Sequence, residues 1–150
     1  ALAFFLIALG NGQYLVAALS LALAGALAGF LIFNWAPASI YMGDAGALFI
    51  GFLLAVIGIR LNNESITQIR SLAIPVLIMG IPIIDTTTVV ISRIRRGVSP
   101  LQGGRDHLSH RIHARVSKRV ENSLVATRIT VLILGVASAL LAAVAYLLSR

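Results

Sequence analysis

Apolar residues run through this chain in long blocks separated by short polar stretches, and four blocks reach the length of about 20 residues that a helix needs to cross a bilayer. They are Tyr14 to Phe33, Tyr41 to Ile59 (interrupted only by Asp44), Leu72 to Ile91 (carrying Pro75, Pro82 and Asp85) and Arg128 to Leu148. A shorter run, ALAFFLIAL, opens the chain. No positive charge precedes it, which makes it a poor signal peptide, and it reads as the end of a helix whose beginning is absent. Gly10-Asn11-Gly12 predicts a turn, residues 34–40 with Pro37 a short link, residues 60–71 a polar link, and residues 92–123 a long basic loop. Within that loop Leu108, Ile112, Val116 and Val120 recur every fourth residue, the pattern of an amphipathic helix at an interface. Gly25, Ala26, Gly29, Gly46 and Gly51 are small enough to let helices approach closely. The expected fold is all-α: a polytopic transmembrane helix bundle of four full spans and one truncated N-terminal helix, with a cytoplasmic amphipathic helix in the basic loop.

Composition sharpens this picture. Apolar residues make up 59% of the 150 residues and charged residues 11%, against roughly 25% charged in a soluble domain. Mean hydropathy is +0.97. Such a chain has too little polar surface to cover itself in water. It has no cysteine, which excludes disulfides, thiolate metal sites and thiol nucleophiles. The formal charge is +7, and eight of the twelve Lys and Arg fall between Arg93 and Arg119. By the positive-inside rule that block lies in the cytoplasm near anionic headgroups. The 34–40 link then shares its face, while the 60–71 link and the C-terminus fall outside. Nucleic-acid binding is disfavoured, because the block lacks interleaved aromatics and sits between spans.

Three places carry candidate chemistry. Asp44, in Tyr-Met-Gly-Asp-Ala-Gly, stands at a helix entrance. It reads either as a helix N-cap or as a Mg²⁺ ligand, since Mg²⁺ takes one or two carboxylates with phosphate oxygens and water; Gly43 and Gly46 would leave room for a ligand. Asp85 lies inside a span, where an acid is costly and by default functional or paired. It reads either as part of a site or as a structural partner for a loop Arg. Pro82 frees the carbonyl of Ile78 and can kink this helix. The third place is Gly103-Gly104-Arg105-Asp106-His107-Leu108-Ser109-His110-Arg111-Ile112. If it is helical from Asp106, then His107, His110 and Arg111 share an arc of about 100°. This cluster lacks metal-ligand spacing and suits phosphate, which guanidinium groups bind through paired hydrogen bonds. The competing reading is a topological basic loop on lipid headgroups, which Arg93, Arg95 and Arg96 fit well.

Taken together these segments resemble one family. Asn34-Trp35-Ala36-Pro37-Ala38-Ser39-Ile40-Tyr41-Met42-Gly43-Asp44-Ala45-Gly46 resembles the N-F-x-P-A-x-I-F-M-G-D-x-G-S segment of the polyprenyl-phosphate N-acetylhexosamine-1-phosphate transferases. Pro82-Ile83-Ile84-Asp85-Thr86, followed by Arg93 and Gly97, resembles the family's P-x-x-D-T segment, and Arg105 to Ile112 its R-x-H-L-H-H-R-L segment. The resemblance implies transfer of N-acetylhexosamine-1-phosphate, with N-acetylglucosamine as the expected sugar, from a UDP-sugar to undecaprenyl or another polyprenyl phosphate, with release of UMP at the cytoplasmic face of the cell membrane. It implies Mg²⁺ as cofactor, replaceable by Mn²⁺, held by Asp44. It further implies that Tyr41 stacks on uracil and that His107, His110 and Arg111, joined by Arg105, bind phosphate and sugar; Asp44, His107 and His110 are the catalytic candidates, and Gly43 and Asp85 support substrate binding. Membrane lipid and a second copy of the chain are the other expected partners.

Two departures from the family pattern stand out: Ser109 where many members have His, and Gly104 where many have Asp. The alternative substrate within the family is the phospho-N-acetylmuramoyl-pentapeptide, whose transferases carry three consecutive His residues that this chain lacks. The family's paired aspartates and its N-x-x-D-G-x-D-G loop do not occur in this sequence. Residues 1–150 are therefore expected to be the C-terminal part of a single membrane domain, inactive alone. Two readings from other classes remain: half of a secondary transporter, whose polar groups would lie near the midplane, and a structural membrane protein with a lipid-binding loop.

Overall fold

The computed structural model describes residues 1–61, 67–99, 104 and 106–150. These form seven helices: α1 (Leu2–Gly10), α2 (Tyr14–Asn34), α3 (Gly43–Arg60), α4 (Gln68–Ile78), α5 (Gly80–Arg95), α6 (Leu108–Val116) and α7 (Ser123–Leu148). Among the described residues there is no strand, so the all-α expectation holds. By length and composition α2, α3 and α7 can each cross a membrane, and α4 with α5 makes a fourth crossing if the pair is one span. These helices are apolar on nearly every side. Leu15 and Ile32 of α2 are each 75% exposed, the pattern of helices whose outer solvent is lipid.

The third expected span is not one helix. It breaks at Met79, between α4 and α5. Pro82 has no N–H for the carbonyl of Ile78, and a new first turn begins at Gly80, where Pro is tolerated because its missing N–H would have had no partner. The last span starts five residues earlier than expected. Asn122 caps α7, its Oδ1 accepting from the N–H groups of Leu124 (3.0 Å) and Val125 (3.2 Å).

The described residues fall into two compact units, Ala1–Ile78 with Leu141–Arg150, and Met79–Leu140. In the first, Phe4, Ile7 and Ala8 of α1 are buried with Ala17 and Leu23 of α2, Ile57 of α3 and Ile74 of α4. Close packing here depends on Gly58, where a Cβ would stand 2.9 Å from Pro75 Cβ and 3.6 Å from Phe4 Cζ. Of the glycines expected to serve this role, Gly25, Gly29 and Gly51 face open space. A small residue permits close approach only where a neighbouring helix crosses, and that crossing falls at Gly58. Helix hydroxyls are satisfied locally: Ser20 donates to Val16 O (2.7 Å) and Thr130 to Ala126 O (2.8 Å), as a low-dielectric surrounding requires.

Candidate functional site

In the first unit the candidate residues sit at the start of α3. The 34–40 link folds back on the end of α2. The N–H and Oγ of Ser39 both donate to Phe33 O (2.9 and 3.0 Å), and Asn34 Nδ2 donates to Ile40 O (2.9 Å). This fixes the point at which Tyr41 enters α3. Tyr41 is 79% exposed, its ring open to a planar partner. Gly43 has φ +66, a left-handed value that favours glycine. Asp44 is not the N-cap: that position belongs to Met42, and Asp44 lies in the first turn. There its charge suits the positive end of the helix. Its carboxylate is exposed and, among the described residues, makes no hydrogen bond or ion pair. Gly46 does not leave room for a ligand. A Cβ there would lie 2.6 Å from Met42 Cγ, so its open face is filled by that side chain.

In the second unit two carboxylates tie the loop to α5 in opposite directions. Asp85, on α5, reaches the start of α6: its Oδ1 accepts from Leu108 N–H (2.5 Å) and its Oδ2 lies 2.9 Å from His107 Nδ1. Helix α6 begins at Leu108, with His107 as an extended N-cap whose own side chain does not cap. Asp85 therefore supplies the capping oxygen from another helix. Facing a carboxylate, the ring carries its N–H on Nδ1, which leaves Nε2 as the nitrogen open to a ligand. The partner of Asp85 is thus a histidine and a backbone amide, not the loop Arg that the sequence suggested.

The second carboxylate, Asp106, reaches back. Its Oδ2 accepts from Arg93 Nε (3.1 Å) and Arg96 Nη2 (3.0 Å). Hydrogen bonds from Arg93 and then Arg96 hold its carboxyl below the usual carboxylate range. Arg93 is buried, at 5% exposure, and both Arg93 and Arg95 belong to α5 rather than to the loop. Arg93 is therefore tied into the protein and not open to headgroups, whereas Arg96, paired with Asp106, keeps 53% of its side chain exposed. The i, i+3 spacing of Arg93 and Arg96 places them on one helix face, and with an acid in the following loop this is the signal by which the sequence carries the contact. Gly97, with φ +67, ends α5 and turns the chain away. At Gly104 a Cβ would lie 2.8 Å from Arg93 Nη2 and 3.3 Å from Asp106 Oδ2, so the missing side chain makes space for the guanidinium.

His107 is half-exposed and His110 and Arg111 are exposed. They do not share a helical arc, because His107 precedes the helix, while His110 and Arg111 lie in its first turn. Arg111 borders an open concavity of about 280 Å³ with Ser92, Arg96 and Asp106. Helix α6 ends at Val116, so Val120 lies beyond it, although Leu108, Ile112 and Val116 are each half-buried along one side as expected. Arg105 lies outside the described residues.

No group of three His, Asp or Glu that could hold a metal occurs among the described residues. The described residues thus offer an exposed carboxylate at Asp44, the donor type that Mg²⁺ takes singly alongside phosphate and water, and no cluster of protein ligands.

These features define an all-helical polytopic membrane protein with an exposed acid at one helix entrance and an ordered imidazole–guanidinium surface beside another. Comparison with known proteins gives the class its family: residues 1–62 match the model for glycosyl transferase family 4, and the chain belongs to that family. It is 37% identical over 107 residues to a probable undecaprenyl-phosphate N-acetylglucosaminyl 1-phosphate transferase of Bacillus subtilis, covering 71% of this chain and 30% of the relative. A phospho-N-acetylmuramoyl-pentapeptide-transferase of Bacillus cytotoxicus is 38% identical over 92 residues (61% of this chain, 26% of the relative). A decaprenyl-phosphate N-acetylglucosaminephosphotransferase of Mycolicibacterium smegmatis is 36% identical over 109 residues (66% and 27%). The chain thus spans about 30% or less of the length of these relatives. No solved structure matches it.

Proposed function

We propose that this chain is part of an enzyme that transfers N-acetylglucosamine-1-phosphate from its UDP-sugar to a polyprenyl phosphate at the cytoplasmic face of the cell membrane. An oxygen of the lipid phosphate attacks the β-phosphorus of the UDP-sugar, the bond to the α-phosphate bridge breaks, and UMP leaves. The observation that carries this reading is Asp44: a carboxylate without a partner among the described residues, in the first turn of α3, inside a segment that matches the family. Mg²⁺, or Mn²⁺ in its place, would be held there by Asp44 and would neutralise charge on the diphosphate. Tyr41 stacks on the uracil, and Gly43 keeps the backbone beside it open. His107 and His110 offer imidazole nitrogens to phosphate or sugar oxygens. Arg111, with Arg105, stabilises the charge that builds on the phosphoryl oxygens in transfer. Asp85 supports this surface by fixing His107.

N-acetylglucosamine is favoured over the muramoyl-pentapeptide because the His segment reads His107-Leu108-Ser109-His110 rather than three consecutive histidines. The test is an assay in nanodiscs with the full-length protein, a polyprenyl phosphate and either UDP-N-acetylglucosamine or UDP-N-acetylmuramoyl-pentapeptide, both labelled on the sugar. Label should enter the lipid fraction from the first with stoichiometric UMP release. Label entering only from the second would transfer the assignment to the pentapeptide substrate, and none from either would remove it.

A further inference from the structure

Beyond the candidate site, the second unit carries a groove where α6 ends and α7 begins. Its floor is aliphatic, made by Val116, Val120, Ile129 and Ile133, and its rim carries Arg115, Lys118 and Arg119; its volume is about 570 Å³. The three cations are exposed. One acid, Glu121, lies in the stretch from Ser117 to Arg150, and it is absent from the groove lining.

The depth of this groove in a bilayer follows from the length of α7. At about 1.5 Å per residue its 26 residues extend about 39 Å, roughly six residues beyond a hydrocarbon core of about 30 Å. The polar end is the N-terminal one: Ser123, Thr127 and Arg128 precede a stretch from Ile129 to Leu148 without a charge. The hydrocarbon boundary therefore falls at Ile129. Ile129 and Ile133 stand at acyl-chain depth, and Arg115, Lys118 and Arg119 stand at the level of lipid phosphates.

We propose that this groove binds an anionic phospholipid of the surrounding bilayer, its phosphate held by Arg115, Lys118 and Arg119 and one acyl chain laid along Ile129 and Ile133. The lining offers positive charge and aliphatic surface, with no carboxylate, imidazole or hydroxyl to read a headgroup. Selection is therefore by charge: phosphatidylglycerol and phosphatidylserine bind alike, and zwitterionic phosphatidylcholine is excluded. Cations at this depth each add to the attraction for anionic lipid, and salt screens them. The site is independent of the proposed transfer reaction, because none of its residues belongs to the segment 105–112.

The experiment uses the full-length protein in nanodiscs of phosphatidylcholine and phosphatidylglycerol in equal parts, with retained lipids counted by native mass spectrometry. The wild type should retain phosphatidylglycerol over phosphatidylcholine by at least about tenfold, as three cations near a lipid surface allow. Phosphatidylserine should substitute for it, and the variant Arg115→Gln/Lys118→Gln/Arg119→Gln should lose the preference, whereas Arg70→Gln should keep it. Titrating salt on the wild type reads the same interaction without mutation, and retention should fall steeply. Equal retention of phosphatidylcholine, indifference to salt, or displacement of the bound lipid by a short-chain polyprenyl phosphate would each overturn the proposal, the last by making the groove a substrate site.

Discussion

The acids of the two units are arranged in opposite ways. Asp44 stands in the first turn of α3, exposed and without a partner among the described residues. Asp85 is engaged at both oxygens, by Leu108 N–H and His107 Nδ1, and Asp106 holds two arginines. A carboxylate whose lone pairs are already used by the protein orders its neighbours and has little left for a ligand. One left bare at the positive end of a helix is available to a cation and its phosphates. The contrast divides the acids into one whose oxygens are open to a cation and two that order the surface of the second unit.

The division is tested most severely at Asp44. In the full-length protein Asp44→Asn keeps the side-chain shape, removes the charge, and should lower UMP release on the order of 10³-fold, the scale of losing a main electrostatic contact in the transition state. Its melting temperature should fall only slightly, because the charge at the helix N-terminus is lost but no hydrogen bond or ion pair is. Unchanged turnover would take Asp44 out of the reaction, and a large fall in melting temperature would show that the carboxylate is structural after all.

Asp85→Ala should act in the reverse sense. It removes two hydrogen bonds to a charged acceptor, including the cap of α6, at a cost of about 2 kcal/mol in local stability. Turnover should fall by about tenfold, equivalent to about 1.4 kcal/mol, because His107 is no longer held in one tautomer. Two readouts distinguish this from general unfolding: ¹⁵N shifts of the His107 ring should move from a single Nε2-unprotonated form to a mixture, and amide exchange should quicken at Leu108 to Arg111 ahead of the remaining helices. An unchanged ring spectrum would mean that Asp85 does not fix the imidazole.

Asp106 gives a smaller effect with a defined pH dependence. Its pKa is lowered in the folded chain by Arg93 and Arg96. The contribution to stability is therefore complete above the ordinary carboxylate value and is lost as pH falls through the lowered folded value. Wild type should melt above Asp106→Asn at neutral pH, with the difference shrinking to nothing in acid. A difference that persists at acid pH would place the stabilisation in shape rather than charge.

Much of this was legible in the sequence for a physical reason. Hydropathy blocks report a helix wherever lipid is the solvent, so α2 and α3 match expectation within two residues. The break at Met79 followed from Pro82, whose missing N–H was visible but whose effect depends on whether neighbours re-satisfy the freed carbonyl. Motif resemblance picked out Asp44, Asp85, His107, His110 and Arg111 but not their contacts. The Asp85–His107 contact joins residues 22 apart, and local periodicity carries no information at that range. Asn122, just before an apolar helix, is a standard start signal, and it sets the start of α7 ahead of the apolar block that begins after Arg128. Gly58 could not be distinguished from Gly25, Gly29 or Gly51 by sequence, since only the position of Pro75 and Phe4 makes one of the four indispensable.

The smallest effect belongs to Gly104, and it bears on how this chain departs from its family. The family pattern implies an aspartate there, and here a Cβ would meet the Arg93 guanidinium at 2.8 Å and Asp106 Oδ2 at 3.3 Å. If Asp106 has taken over the acidic contact that an aspartate at 104 would make, the two positions are interchangeable partners for Arg93. Gly104→Asp alone should then change the melting temperature little, because Arg93 already has its carboxylate and the flexible end of its side chain can move aside. In the Asp106→Asn background the same substitution should recover part of the lost melting temperature, and the recovery should disappear in acid like the original contribution. A double-mutant cycle reads this coupling directly. Strict additivity would show that Gly104 is needed for space alone and that no acid there can replace Asp106.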